Sequence, residues 1–456
     1  MIEAIVNSQK EFFKTGKTKN IDYRKQLLKQ LQSELIKQEN NITKALYDDF
    51  KKPEFESVIS ETAIVLQDLK RTIKNIDKWA KPKRVFPSLL NFPSSDYLYS
   101  EPYGNVLIIA PWNYPYQLAL APLIGAVAAG NTVVLKPSEL TPNISALLSK
   151  IIKKIFPQEF VTVVEGGVDT STQLLNQVWD YIFFTGSVGV GKIVAKAAAP
   201  NLTPITLELG GKNPSIIDKT ANLKLAAKRI VWGKFINAGQ TCIAPDYILI
   251  DSTIKKKFYK VLEDEIISAY SKNPQQSADF ARIINEKNFN RLAEMLVNEN
   301  CVIGGETNIE DLYISPTIID EPTLDSKVME DEIFGPILPV ISFKNLDDID
   351  SIIRRYSKPL SLYVFSTNSV QAKQLIKQYS FGGGCINDTV IHFANHRLPF
   401  GGVGNSGIGA YHGKYTFDTF SHKKAIVKKG NWLDIPLRYA PYKGKLKQLK
   451  SLLKWL

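Results

Sequence analysis

The residue in this sequence best suited to covalent chemistry is Cys242, which closes the run GQTC at residues 239 to 242. A thiol nucleophile needs a turn that exposes it and amides or cations that favour the thiolate, and the glycine of GQTC supplies the turn. On its own this is a weak signal, because a free cysteine usually behaves as a small buried hydrophobe. Three other groups could complete a reaction centre. Asn113, in PWNYP at 111–115, is an amide donor; Glu208, in ELGGKNP at 208–214, and Glu332, in EIFGP at 332–336, are carboxylates able to move protons. Taken singly, each has an ordinary structural reading: a turn former, a strand-end cap and a helix-end charge. Cys301 in ENCVIGG and Cys385 in GGGCIND read as core thiols.

A second chemical signal lies in FFTGSVGVGKI at 183–193. Gly186, Gly191 and Lys192 have the spacing of a phosphate-cradling P-loop, whose last position is a hydroxyl that holds magnesium. Ile193 has no such oxygen. Either a P-loop has lost its metal ligand, or the glycines cradle a different phosphate.

These groups need a frame. The first eighty residues carry apolar positions three and four apart among many Lys and Glu, which predicts surface helices. Residues 81–99 break that pattern with three prolines and alternating aromatics, predicting an extended or hairpin segment. From residue 104 the runs NVLIIA, TVVLK, FVTVVEG, DYIFFTG and PITLEL alternate with helical stretches, as βαβ units with a buried parallel sheet do. A second α/β set follows residue 211, with PDYILID, SPTIID, PILPVISF and LSLYVFS as its strands. PWNYP directly follows NVLIIA, so Asn113 falls at the carboxyl end of a parallel strand, where open α/β sheets bind ligands. FDTFSHKKAIVKKG alternates again and predicts a strand added to a sheet edge, across a subunit interface if the partner supplies that edge.

Bulk properties narrow the classes. The 456 residues suggest two or three domains, and 57 Lys and Arg against 45 Asp and Glu give a formal charge of +12. That excess is spread along the chain, which reads as a solvated surface and not a nucleic-acid groove. The three cysteines are far apart with no C-x-x-C pair, which fits a reducing cytosol and argues against a zinc cluster. His392 and His396 stand four apart in HFANH without the acid partner of a metal-binding helix, so no metal is expected. The N-terminus lacks an apolar signal core. The uncharged run 118–135 is punctuated by Pro122, Gly125, Gly130 and Asn131, and so reads as a buried helix, a turn and a strand rather than a membrane span. After Gly444, Leu446, Leu449, Leu453 and Leu456 share one helical face among lysines, with Trp455 beside them. That basic amphipathic tail either packs back over the protein or lies in a membrane interface.

Together, PWNYP, VVLKPSE, FTGSVGVGK, ELGGKNP, GQTC, EIFGP and PFGGVGNSG occur in the order and at roughly the separations of the aldehyde dehydrogenase superfamily, and the chain resembles it from about residue 20 to 430. The short N-terminus and residues 399–424 resemble the class 3 branch, which includes fatty and aromatic aldehyde dehydrogenases, commonly dimers. The resemblance implies an α/β fold with a Rossmann-type NAD-binding domain over 1–80 and 100–209 and a catalytic domain over 210–416. It also implies a small bridging element for oligomerisation over 81–99 and 417–432, leaving 433–456 as the tail. By the same resemblance Cys242 attacks the aldehyde, Asn113 and the Cys242 N–H donate to the oxyanion, and Glu208 is the hydrolytic base, with Glu332 as rival. Lys136 and Glu139 match positions at the adenosine ribose; Glu332 matches the residue holding the nicotinamide ribose. Phe334, Trp112 and Pro111 would wall the cofactor site. Gly186, Ser187 and Gly191 then form a dinucleotide-binding turn for NAD, with NADP as an alternative. A carboxylate at Glu139 favours a free 2′-hydroxyl. Two rivals remain: a CoA-acylating relative, which typically lacks a base at the Glu208 position, and a noncatalytic protein on the same fold.

Overall fold

NVLII, TVVLK and YIFFT are apolar without alternation, which suits only strands covered on both faces. In the computed structural model, which describes residues 2–88 and 91–454, all three are buried throughout. They form the centre of a six-stranded sheet ordered Gly407–Ile408, Ile205–Glu208, Tyr181–Thr185, Asn105–Ile109, Thr132–Lys136, Val161–Val163. All neighbours run parallel except Gly407–Ile408, which is antiparallel to Ile205–Glu208. The chain builds outward from Asn105–Ile109 on one side, then returns to build on the other. The strand order therefore reverses between Asn105–Ile109 and Tyr181–Thr185, and the crevice at such a point is where this architecture binds ligands.

The second sheet has seven strands, ordered Cys301–Ile303, Thr317–Asp320, Ile337–Phe343, Tyr247–Asp251, Pro214–Ile217, Ser361–Phe365, Gly383–Ile386. Four of them are the expected runs. Pro214–Ile217 lies near the middle of the sheet yet is short and begins with a proline, which reads as a turn signal, although the first residue of a strand tolerates it. Gly383–Ile386 is an edge strand hidden in the sequence by its glycines, which read as a turn.

Helix Gln117–Ala129 is buried along its whole length and ends at Gly130 in the left-handed conformation, followed by the strand Thr132–Lys136. The helix, turn and strand read from the uncharged run are thus present, and among the described residues no helix is long and apolar enough to cross a membrane. A third, antiparallel sheet joins Lys83–Val85, Ser94–Pro102 and Ser421–Lys429, the last lying along an edge as its alternation predicts. One boundary needs correcting. Residue 416 does not end the second unit, because Gly407–Ile408 already pairs in the first sheet and helix Lys414–Thr419 packs on helix Gln117–Ala129. The glycines of PFGGVGNSG conceal that return.

Gly125 is the point where these two helices meet. A Cβ there would overlap the Thr416 side chain, whose hydroxyl already accepts a hydrogen bond from the His412 N–H at 2.9 Å. Glycine to alanine within a helix ordinarily gains about 1 kcal/mol. Here overpacking reverses the sign, so Gly125→Ala should lower unfolding free energy by roughly 1–3 kcal/mol in a urea titration.

Candidate active site

Cys242, the expected nucleophile, sits after an unusual turn. Helix Leu223–Phe235 is followed by Asn237, Ala238 and Gly239 with φ of 56°, 52° and 76°. Successive left-handed residues cost about 1–2 kcal/mol each unless they are glycine, so the surroundings must hold them. Gln240 does so from within: its amide donates to the carbonyls of Asn237 and Arg282, each at 3.0 Å, and accepts from Ile284 N–H at 3.0 Å. Asn237 donates through its side chain to the Asn113 carbonyl at 2.9 Å, and its N–H reaches the Glu56 carboxylate at 2.8 Å. A Cβ on Gly239 would overlap the Gly335 carbonyl, so the turn is pressed against the EIFGP loop. Beyond it, Asn213 donates to the Cys242 carbonyl at 2.8 Å.

Asn113 is buried, and its side-chain amide donates to the Gln240 carbonyl at 3.1 Å, which aims the donor group at the nucleophile turn. Glu208 ends its strand with both carboxylate oxygens buried and without a hydrogen-bond partner among the described residues. Burial pushes its carboxyl well above the usual range. Glu332 is raised to about 8 by burial and by the nearby Asp246 carboxylate, against the pull of the Gly211 N–H and of Lys212 and Arg291. Burial also pushes the Cys242 thiol up, and the Glu332 and Glu208 carboxylates add to this, while the N–H groups of Cys242 and Ile243 act in the opposite sense. These glutamates therefore disfavour the thiolate. A cation brought into the same space would favour it.

Two cavities converge on this thiol. One, a cleft of about 680 Å³, lies at the reversal point of the first sheet and is lined by Pro111, Trp112, Asn113, Glu208, Glu332 and Phe334, with Gly186 to Gly189 along its far wall. Trp112 and Phe334 meet edge to face, centroids 5.3 Å apart. The other, a tunnel of about 280 Å³, is almost wholly apolar, walled by Ile64, Tyr114, Trp232, Ile236, Ile391 and Phe393. Of the residues lining either space, Leu118 and Cys242 line both.

The cleft suits a dinucleotide. Ser187 caps helix Val188–Ala198, accepting from Val190 N–H at 3.4 Å, so the helix start faces the cleft. No atom lies within 4 Å of where a Cβ on Gly189 would stand, which leaves backbone open to a phosphate. The unpartnered Glu208 carboxylate and the free Glu332 Oε1 line the same cleft and would favour a cationic nicotinamide ring there. Lys136 and Glu139 pair with each other at 2.5 Å at the carboxyl end of Thr132–Lys136, beside the cleft and outside its lining.

Gly191 is different from the sequence expectation: it does not line the cleft, and a Cβ there would stand 2.7 Å from Leu209, so its role is close helix packing. Gly189, two residues earlier, is the open glycine that spacing alone passed over. Arg291 was also missed; it lines the cleft and donates to the Ile333 carbonyl at 2.8 Å, yet its local sequence is that of a solvated helix. Asn213, inside ELGGKNP, could have been found by asking what its motif is for.

The aldehyde dehydrogenase family model matches residues 1–426. The 4,4′-diaponeurosporen-aldehyde dehydrogenase of Staphylococcus aureus (strain NCTC 8325 / PS 47) is 47% identical over 456 residues, covering 100% of this chain and 99% of that protein. The dimeric NADP-preferring aldehyde dehydrogenase of Mus musculus is 42% identical over 447 residues, covering 98% and 99% respectively. A solved structure described as the substrate-bound state of Staphylococcus aureus AldH superimposes with a TM-score of 0.98 at 46% identity, covering 99% of each chain. On the motifs, the fold and these likenesses together, the chain belongs to the aldehyde dehydrogenase family.

Proposed function

We propose that this enzyme oxidises long, apolar aldehydes to carboxylates with NAD or NADP, using Cys242 as the nucleophile. The observation that carries this reading is the position of Cys242 between an apolar tunnel and a cleft fit for a dinucleotide. An aldehyde entering through the tunnel presents its carbonyl carbon to the sulfur, and the Asn113 amide with the Cys242 N–H receives the oxyanion of the thiohemiacetal. The cofactor, when bound, supplies the acceptor for the aldehyde's hydride. Glu208 then draws a proton from the water that hydrolyses the thioester, releasing the carboxylate and returning the thiol. Glu208 is favoured over Glu332 because both its oxygens are free, whereas Glu332 takes a hydrogen bond from Gly211. The Lys136–Glu139 pair offsets the charge that would reject a 2′-phosphate, which supports use of both cofactors.

Two features extend this reading. The exposed edge strand Ser421–Lys429 and the dimeric mouse relative support a homodimer. In the tail, Leu446, Leu449, Leu452 and Leu453 are exposed on helix Leu446–Leu453 beside Lys447 and Lys450, which supports contact with an anionic lipid surface over packing back on the protein. Trp455 and Leu456 lie outside the described residues. Three free cysteines support a reducing, cytosolic compartment.

Cys242→Ala should abolish aldehyde-dependent NADH formation, about a thousandfold or more, and Asn113→Ala should lower kcat about 10²–10³-fold. Glu208→Gln should give a burst of NADH close to one equivalent and then stall; a stall in Glu332→Gln instead would transfer the base role, and CoA-dependent turnover in the native enzyme would replace hydrolysis with acyl transfer. Across a series of n-alkyl aldehydes, kcat/KM should rise up to about fourfold per methylene until the tunnel is filled, as burial of about 0.8 kcal/mol per CH₂ requires. Vesicles of anionic phospholipid should co-sediment the full chain and not one truncated after Gly444, with zwitterionic vesicles retaining neither.

A further inference from the structure

The nucleophile and the oxyanion donor come from segments far apart in the sequence, and both are gripped by a third. Residues 52–61 cross beneath the active site through a short helix and one π-helical turn, Val58–Thr62. Three charged side chains on this segment are buried: Lys52, Glu56 and Glu61. The Lys52 ammonium pairs with Glu61 at 2.5 Å, with neither side chain exposed. The other Glu61 oxygen accepts the N–H groups of Tyr116 and Gln117 at 2.9 and 3.1 Å, fixing the loop that carries Asn113 where it enters helix Gln117–Ala129. Glu56 accepts Asn237 N–H at 2.8 Å, at the first left-handed residue of the turn before Cys242. Lys52 also stands 4.0 Å above the Tyr114 ring, whose hydroxyl hydrogen-bonds Thr241 at 2.6 Å. The two loops thus touch each other through Tyr114 and Thr241 and touch the same segment through two carboxylates.

We propose that Glu56 and Glu61 are positioning residues: Glu56 holds the nucleophile turn, Glu61 holds the oxyanion-donor loop, and Lys52 sets the separation between them that brings Cys242 and Asn113 onto one carbonyl. This rests on the functional reading above.

Buried charge is costly, and the cost shows in Glu56. Burial lifts its carboxyl to about 7, with Asp279 adding to the rise, while Asn237 N–H and Lys52 pull it down. The other ionisable groups around it are Glu61 on its own segment and the hydroxyls of Tyr114 and Tyr270 on the elements packed against it. An acid raised in the folded state binds more protons folded than unfolded between its two pKa values, so ionising it subtracts stability as pH rises towards 7. The same ionisation strengthens its hydrogen bond to the turn. Glu56 in this view exchanges stability for alignment.

Glu56→Gln keeps the shape and removes the charge. At pH 8 it should lower kcat about tenfold with KM unchanged, remove a rise of kcat that the proposal expects of native enzyme as pH passes about 7, and leave Tm equal or higher. A kcat within twofold of native, or a fall in Tm matching the fall in kcat, overturns the proposal. As a second measurement, Glu61→Gln should lower kcat more than it weakens cofactor binding measured by titration of intrinsic fluorescence; equal losses would mean general unfolding. Native turnover that survives Cys242→Ala would instead overturn the functional reading itself, so the two failures are distinguishable.

Discussion

The contact on which the site depends is backbone against backbone, where Gly239 meets the Gly335 carbonyl so closely that no side chain fits between. It joins the turn that leads to Cys242 to the loop that carries Glu332 and Phe334. Because the contact is so close, the turn before Cys242 is packed directly on the loop that walls the cleft. The turn itself is in a conformation that its Asn237 and Ala238 would not adopt freely, so it exists only while Gln240, Glu56 and the Gly335 loop constrain it. Strain at a reactive residue is held by the surroundings, and here the surroundings are the other motifs.

The same dependence explains the residues between the chemical ones. Gly210 is glycine because the Glu332 carboxyl occupies the place a Cβ would take. Lys212 directs its ammonium to Asp246 and to the carbonyls of Val328 and Asp331, at 2.7 to 2.8 Å. The other Asp246 oxygen accepts Ile333 N–H at 3.0 Å, so a buried ion pair ties ELGGKNP to EIFGP. Each donor of that ammonium has an acceptor, the condition under which a buried pair is tolerated. Asn213 completes the motif by spanning Cys242, Ala244 and Ser361. ELGGKNP is thus a joint in which Glu208 faces the cleft while Gly210, Lys212 and Asn213 set the neighbouring segments.

This bears on what could be read from the sequence. Strands with continuous apolar runs were legible because a strand buried on both faces has no other way to look, and the carboxyl-end loops of those strands located Asn113 and Glu208. Pro214–Ile217, Gly383–Ile386 and Gly407–Ile408 were not, since proline and glycine carry turn signals that neighbouring strands override. Cys242, Asn113, Glu208 and Glu332, picked out by side-chain chemistry and motif order, line one cleft. Gly191 was assigned to the phosphate because spacing cannot tell a glycine needed for space above a helix start from one needed for packing below it. Glu56 and Glu61 gave no signal, for a glutamate in a lysine-rich helical stretch reads as a solvated face.

That last failure follows from how charge is placed in this protein. The formal excess of +12 sits mostly in water, where one lysine is much like another. Several charges taken inside are paired or bonded to backbone at the junctions of segments, as with Lys52 and Glu61 or Lys212 and Asp246. Among the described residues Glu208 and Lys234 depart from this: the Lys234 ammonium is buried without a hydrogen-bond partner, and Glu208 is buried with neither oxygen bonded and opens onto the cleft that Cys242 lines. A buried carboxylate with no partner on either oxygen is expensive to keep in its charged form. In the proposed reaction an oxygen with no protein partner is one that a water molecule can reach, which is what separates hydrolysis of a thioester from its transfer to another acceptor.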